Sequence, residues 1–201
     1  MDRHKSPNAS PERIIALAAS AGGIRALTRV ISGLTGDVGA ALVIVLHLDP
    51  THRSHLSKIL DRETSVSVKE AEDGERVFPG NAYVAPPDHH LLVNPDGTLS
   101  LTRTEFVHFV RPSADLLFES VAASYGERAI AVVLSGSGVD GASGVRAIRK
   151  RGGVVLAQDE ASSEFFGMPG AAIQTGDVNR VMPLDEIALA LIGLLSREVS
   201  A

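Results

Sequence analysis

A chain of 201 residues with 44% hydrophobic content suits one compact domain, because a single core is sustained up to roughly 250–300 residues. Nineteen Lys and Arg against 24 Asp and Glu leave a formal charge of −5, which argues against a nucleic-acid grip built on phosphate neutralisation. The sequence has no cysteine, so disulfides, thiolate metal sites and a thiol nucleophile are excluded together, in keeping with a reducing cytoplasm.

The first twelve residues, MDRHKSPNASPE, are polar and proline-bearing without periodicity. They read as a disordered tail before a domain over 13–201. Arg3, His4 and Lys5 precede the apolar stretch 14–24, whose ALAAS imitates a signal-peptide cleavage site. Pro11 and Glu12 stand where the apolar part of an export signal would begin, and cleavage would delete the first strand of a regular pattern. No run reaches the roughly 18 apolar residues of a membrane span. The protein is expected to be soluble, cytoplasmic and not membrane-inserted.

Continuous apolar runs then recur: IIALAA (14–19), AALVIVLH (40–47), AIAVVLS (129–135) and GVVLAQ (153–158). Short β-branched runs without alternation are the mark of strands buried on both faces. Helical spacing fills 24–34, 113–126 and 142–153, the last two ending in glycine, a common helix stop. The alternation predicts an α/β fold, a three-layer, doubly wound, mainly parallel sheet with helices on both faces. Residues 90–103 differ: two strand-like runs flank Asn94-Pro95-Asp96-Gly97, which predicts one antiparallel hairpin near the edge. The preceding FPGNAYVAPPDHH reads as loops beside a short strand, and KEAEDGER (69–76) as a charged loop, a solvated surface.

Ligands of such sheets gather outside the carboxyl ends of the strands, and three ends carry unusual residues. Ser20 follows the first strand and precedes Ala21-Gly22-Gly23 and a helix. A serine on that turn can present its Oγ as a nucleophile; it can equally cap the helix or belong to a phosphate-binding turn. His47 closes the second strand, as a general base or as a structural histidine. Asp140 is the acid in SGSGVDGASG after the third, as the carboxylate orienting that imidazole or as an N-cap of the next helix. Taken together, they compose a serine-hydrolase triad in the chain order Ser, His, Asp, which is not that of the α/β-hydrolases, chymotrypsin or subtilisin.

AASAGG with LHLDP, VKEAEDGERVFPGNAYVAPPDHH, RPSADLLFESVA, GSGVDGASG and AQDEASSEFFGMP together resemble the catalytic domain of the CheB-type protein-glutamate methylesterases of bacterial chemotaxis. The resemblance runs from about Arg13 to the C-terminal helix. It implies hydrolysis of glutamate γ-methyl esters on the cytoplasmic helices of chemoreceptors, with release of methanol and often deamidation of receptor glutamines. It assigns Ser20 as nucleophile, His47 as base and Asp140 as orienting acid. Ala21 and Ser137 then supply oxyanion-binding backbone N–H groups, Met168 lines the site, and no metal or organic cofactor is implied. The family usually has Gly at position 18, Thr or Ser at 21, and often Met at 137. Family members commonly carry an N-terminal receiver domain. Only about twelve residues precede the first strand here, so control is expected from a partner such as a histidine kinase or separate regulator, or not at all. Two alternatives stand beside this reading: a receiver-less signalling protein of a non-chemotaxis two-component pathway, and a flavodoxin-like phosphate-binding module.

The remaining signals have ordinary explanations. His52-Arg53-Ser54-His55 and His89-His90 could supply imidazoles to zinc, but closed sites need three or four ligands, and solvated loop and helix-start positions account for them. His108 and Arg111 precede Pro112 in a loop that the resemblance brings to the cleft, where Arg111 either lines the substrate or makes a structural ion pair. Three basic residues in IRKRGG (148–153) suit a helix end.

Overall fold

The structure, a computed structural model, describes residues 11–34, 38–47 and 55–196. The expected tail up to residue 10, and His52, Arg53 and Ser54, lie outside the described residues. The chain runs through β1 (Arg13–Ala19), α1 (Gly23–Ser32), β2 (Ala40–Leu46), α2 (Leu56–Glu63), β3 (Ser67–Glu70) and β4 (Asn81–Val84). It continues through β5 (His90–Val93), β6 (Leu99–Thr102), α3 (Ala114–Tyr125), β7 (Ala129–Val133), α4 (Ala142–Lys150), β8 (Val154–Gln158), α5 (Gly167–Gln174), β9 (Arg180–Met182) and α6 (Leu184–Leu195).

Seven strands form a parallel sheet in the order β3-β4-β2-β1-β7-β8-β9. Winding starts at the centre on β1, moves outward to β2, and later re-enters on the other side at β7. The order therefore reverses between β1 and β7, and a doubly wound sheet opens its ligand crevice at such a reversal. Because strand side chains alternate between faces, Ile15, Leu17 and Ala19 pack with Leu27, Ile31, Leu60 and Ile187 of α1, α2 and α6. Ile14, Ala16 and Ala18, with Ala41, Val43 and Val45, face Leu117, Phe118, Val121, Val145 and Ile148 of α3 and α4. Every strand residue from Ile14 to Ala19 is buried, which is why these runs lack alternation.

The hairpin β5–β6 is a separate two-stranded sheet. Ser120 and Ser124 tie it to α3: the Val93 N–H donates to Ser120 Oγ (3.0 Å) and Ser124 Oγ donates to the Val93 carbonyl (2.8 Å). The segment 69–76 is not all loop, since Lys69 and Glu70 belong to β3. Val66 and Val68 are buried beside exposed neighbours, the alternation of an edge strand with one face on the core, and its charges mask that pattern in the sequence. Lys69 sits between Glu72 and Glu75 (2.7 and 2.9 Å), and the hydrogen bonds its ammonium donates to those two carboxylates hold its pKa above the usual lysine range.

Helices α3 and α4 cross at Gly144, where a Cβ would fall 2.5 Å from Phe118 Cβ and 3.0 Å from the Asp115 carbonyl oxygen. Gly144→Ala is expected to force the two helices apart and cost about 1–3 kcal/mol, as overpacking does. Urea unfolding measures it; an unchanged midpoint would mean the crossing yields freely.

Candidate active site

Strand register sets the site before any side chain is considered. Ala18 pairs with Val45 and Ala19 with Leu46, and Ala18 and Val45 face α3. Continuing the alternation by two residues puts Ser20 and His47 on that same face, at the ends of neighbouring strands. The His47 N–H donates to the Ala19 carbonyl (3.1 Å) and the Ser20 N–H to the Ser135 carbonyl (3.0 Å). These bonds lock the first turn after β2 and β1 to the segment leaving β7.

Ser20 is not a helix cap. Helix α1 begins at Gly23 with Gly22 as N-cap, and no side chain bonds the cap. Among the described residues the Ser20 hydroxyl has no hydrogen-bond partner, His47 included. Both glycines are required by space as well as by the turn. Gly22 has φ 73°, and a Cβ there would meet Glu164 Cβ at 2.8 Å and Ser135 Oγ at 2.9 Å; at Gly23 it would meet Leu46 Cδ1 at 2.6 Å.

Asp140 does not cap its own helix either, since Gly141 is the N-cap of α4 without a side-chain bond. Its carboxylate crosses instead to the N-terminus of α3. Oδ1 accepts from Ser113 Oγ (2.8 Å) and the Asp115 N–H (3.2 Å), and Oδ2 from the Ala114 N–H (2.6 Å). The remaining donor to Oδ2 is His47 Nε2, at 2.8 Å. Asp140 is 3% exposed. Burial alone would raise its pKa, yet the bonds from His47, Ala114 and Ser113 outweigh it and hold the carboxyl below the usual aspartate range. An ionised carboxylate can only accept, so Nε2 carries the imidazole proton and Nδ1 keeps a lone pair, the form a general base needs.

Two backbone donors flank Ser20. Among the described residues neither the Ala21 N–H nor the Ser137 N–H donates within the protein, whereas the Gly136 N–H is spent on the Phe165 carbonyl (2.9 Å). Ser135 holds both sides in place: its Oγ donates to the Ala21 carbonyl (2.9 Å) and accepts from the Phe165 N–H (3.0 Å), while its own N–H donates to buried Gln158 (2.8 Å). Met168 is buried, with its N–H on the Gly136 carbonyl (2.8 Å). A Cβ on Gly136 would meet Met168 Sδ at 2.4 Å and Ser20 Cβ at 2.9 Å. Met168 therefore forms the floor under the Ser20 turn rather than an open wall.

Of the two roles the sequence leaves open for Arg111, the ion pair is the one seen in the structure. Its guanidinium pairs with Asp88 (Nε to Oδ1 2.9 Å), donates to the Thr104 carbonyl (2.7 Å) and lies 4.3 Å over the Phe106 ring. That arrangement staples the loop 103–112, and the same pair holds the Asp88 carboxyl below its ordinary range. Nor is His90 a solvated loop residue: it opens β5 fully buried, accepting from the Ser113 N–H at Nδ1 (3.1 Å) and donating from Nε2 to the Glu105 carbonyl (3.0 Å). Desolvation lowers its pKa, and as a neutral ring it braces the Ser113 cap behind Asp140. Ser113, Ser135 and Gln158 carry no mark in the sequence that sets them apart, and His90 is marked there only as half of a histidine pair. The signals present are a serine after Arg111-Pro112 at the head of a helical pattern and a histidine opening the apolar HLLV, both with commoner explanations.

His108, Asp115 and Asp140 are the group among the described residues whose ligand atoms converge as for a metal, within 4.8 Å of one another. Asp115 already accepts from the Gly144 N–H (2.8 Å) and pairs with His108 Nε2 (3.1 Å), and Asp140 has four donors. A cation there would have to displace these bonds, so the donor set fits a hydrogen-bonded hub. Burial, and then the charge of Asp140, raise the pKa of Asp115.

The CheB methylesterase family model matches residues 15–191. A protein-glutamate methylesterase/protein-glutamine glutaminase 2 of Pseudomonas aeruginosa is 43% identical over 198 residues, covering 97% of this chain and 56% of that protein. A protein-glutamate methylesterase/protein-glutamine glutaminase of Pyrococcus abyssi is 42% identical over 181 residues, 88% of this chain and 49% of that one. The chain thus spans about half the length of the curated relatives it matches. The crystal structure of the Thermotoga maritima CheB methylesterase catalytic domain superposes with a TM-score of 0.87 at 36% identity, covering 90% of this chain and 98% of that domain.

Proposed function

The chain belongs to the CheB methylesterase family, and on that premise we propose that it hydrolyses γ-methyl esters of glutamate side chains on chemoreceptor helices, releasing methanol. Ser20 is the nucleophile, His47 the base and Asp140 the orienting carboxylate. His47 Nδ1 takes the hydroxyl proton as Ser20 Oγ adds to the ester carbonyl, and the negative oxygen of the tetrahedral intermediate accepts from the Ala21 and Ser137 N–H groups. Collapse expels the methoxy group, which leaves as methanol with the proton from His47. Water then attacks the acyl-enzyme with His47 again as base, giving the glutamate carboxylate and free Ser20. A glutamine amide follows the same path with ammonia leaving.

The observation that carries this reading is the ionised, buried Asp140 on His47 Nε2, beside a serine whose hydroxyl is unused at the sheet's reversal point. No helix among the described residues is long and apolar enough to cross a membrane, in keeping with action on receptor segments outside the bilayer. The test is methanol release from a methylated chemoreceptor by the purified protein. Turnover that rises with enzyme concentration is expected; none would sink the reading.

A further inference from the structure

Among the described residues three non-glycine residues have positive φ: Asp88 (60°), His108 (48°) and Phe109 (65°). All three occupy one patch beside the candidate site. Val107 and Val110 exchange both backbone hydrogen bonds (3.2 and 2.9 Å), so His108 and Phe109 are the two central residues of a tight hairpin turn. Positive φ at both is the pattern of a type I′ turn, which normally recruits Asn-Gly. A phenylalanine held there is strained, and it recovers nothing within the fold, because Phe109 is 98% exposed. Strain of this kind persists where surrounding structure enforces it, and it gathers at functional sites.

The base of the turn is fastened on both sides. His108 Nε2 bonds Asp115 Oδ2 (3.1 Å), and Arg111, held by Asp88, covers the Phe106 ring. The His108 ring nitrogen lies within 4.8 Å of carboxylate oxygens of both Asp115 and Asp140, so the tip projects from the flank of the triad. Val139 (52% exposed) precedes Asp140 on the same rim. Two arginines stand in this patch, and both turn toward Asp88: Arg111 at 2.9 Å and Arg103 at 3.7 Å, the latter also donating to His89 Nε2 (3.1 Å); the apolar surface left exposed at the edge is that of Phe109 and Val139.

We propose that Phe109 is a substrate-positioning finger that, with Val139, grips an apolar side chain flanking the ester-bearing glutamate of a polypeptide substrate. The inference rests on the ester-hydrolase reading above. A small ester has no neighbouring residues to lay on this edge, whereas a polypeptide presenting the same ester at Ser20 carries flanking side chains past a turn whose base is bonded to Asp115, within 4.8 Å of Asp140; the substrate chain is therefore the occupant.

Phe109→Ala, Phe109→Leu and wild type are compared on methylated receptor and on N-acetyl-glutamate γ-methyl ester N-methylamide. Phe109→Ala is expected to lower kcat/KM on receptor about tenfold, mainly through KM, the scale of one lost apolar contact. Phe109→Leu should restore most of it, and small-ester hydrolysis and the thermal midpoint should not move. Equal loss on both substrates, no loss on receptor, or a loss confined to kcat would overturn the finger. Where the small ester is not turned over, the split between KM and kcat on receptor decides. Wild-type inactivity toward both substrates would instead overturn the hydrolase reading, and the finger with it.

Discussion

Ser20→Ala is expected to reduce methanol release from methylated receptor by four to six orders of magnitude while leaving the fold intact. A loss of that size follows from the proposed role of Ser20 Oγ as the atom that forms the acyl-enzyme. In serine hydrolases about 10³–10⁴-fold of catalysis over water survives in the oxyanion donors and binding alone, and the rest depends on the triad. The fold should tolerate the change because Ser20 Oγ carries no hydrogen bond to another described residue. Its Cβ, which sits against Gly136, is kept by alanine. The Ser20 N–H to Ser135 carbonyl bond belongs to the backbone and also survives. Stability within about 0.5 kcal/mol of wild type, the usual scatter for substitutions that break no special interaction, should accompany the kinetic loss. Receptor demethylation at near wild-type rate would remove Ser20 from the mechanism.

The parts of this site legible in the sequence are those that local pattern dictates. β1, β2, β7 and β8 are buried on both faces, so their apolar runs are plain in the sequence; Ser20 and His47 follow two of them directly, and Asp140 is the acid in the Gly- and Ser-rich loop after a third. Their shared rim followed from the crossover rule. What pattern does not carry is the partner of a side chain 25 residues away. Asp140 suited a cap for the helix that follows it, and that reading assigns the wrong helix: the carboxylate sits at the N-terminus of α3, 26 positions back at Ala114. His90 illustrates the same limit, since a histidine beside another histidine and two prolines looks solvated until β5 is folded onto α3. Arg111 was legible as a cation but not as one whose donors are consumed by Asp88 and Thr104. α5 escaped because GMPGAAIQ carries a proline and two glycines, poor helix formers held here by packing of Met168 and Ala172 on the sheet. Phe109 escaped because an exposed aromatic on a turn leaves no periodic trace.

The four donors around Asp140 also decide what an isosteric amide would do there. Asp140→Asn must place an NH2 where one oxygen now accepts. At the Oδ2 position it would oppose the Ala114 N–H, held at 2.6 Å, and would force His47 Nε2 to accept, moving the imidazole proton to Nδ1, where it could not take the proton of Ser20. At the Oδ1 position it opposes the weaker donor, the Asp115 N–H at 3.2 Å, while Ser113 Oγ can rotate to accept. The second orientation is favoured, so the tautomer survives and the charge is what is lost. At about 4 Å between charge centres and an effective dielectric near 20, that charge stabilises the imidazolium by about 4 kcal/mol, or roughly 10³-fold in rate. A fall in kcat of that order is expected; one beyond about 10⁴-fold would indicate the reversed tautomer instead. Stability should fall as well, by about 1–3 kcal/mol, for a buried N–H left facing another donor. Its pH dependence should change in a set direction. The folded carboxyl titrates below its unfolded value near 3.9, so in wild type its contribution is complete above that value and disappears as the pH falls through the depressed folded pKa. The asparagine variant has no such group, and the difference in unfolding free energy between the two proteins should therefore shrink as acid is added. A difference that stays constant across that range would mean that Asp140 is not held ionised by α3 and His47, and the assignment of the imidazole proton to Nε2 would lose its basis.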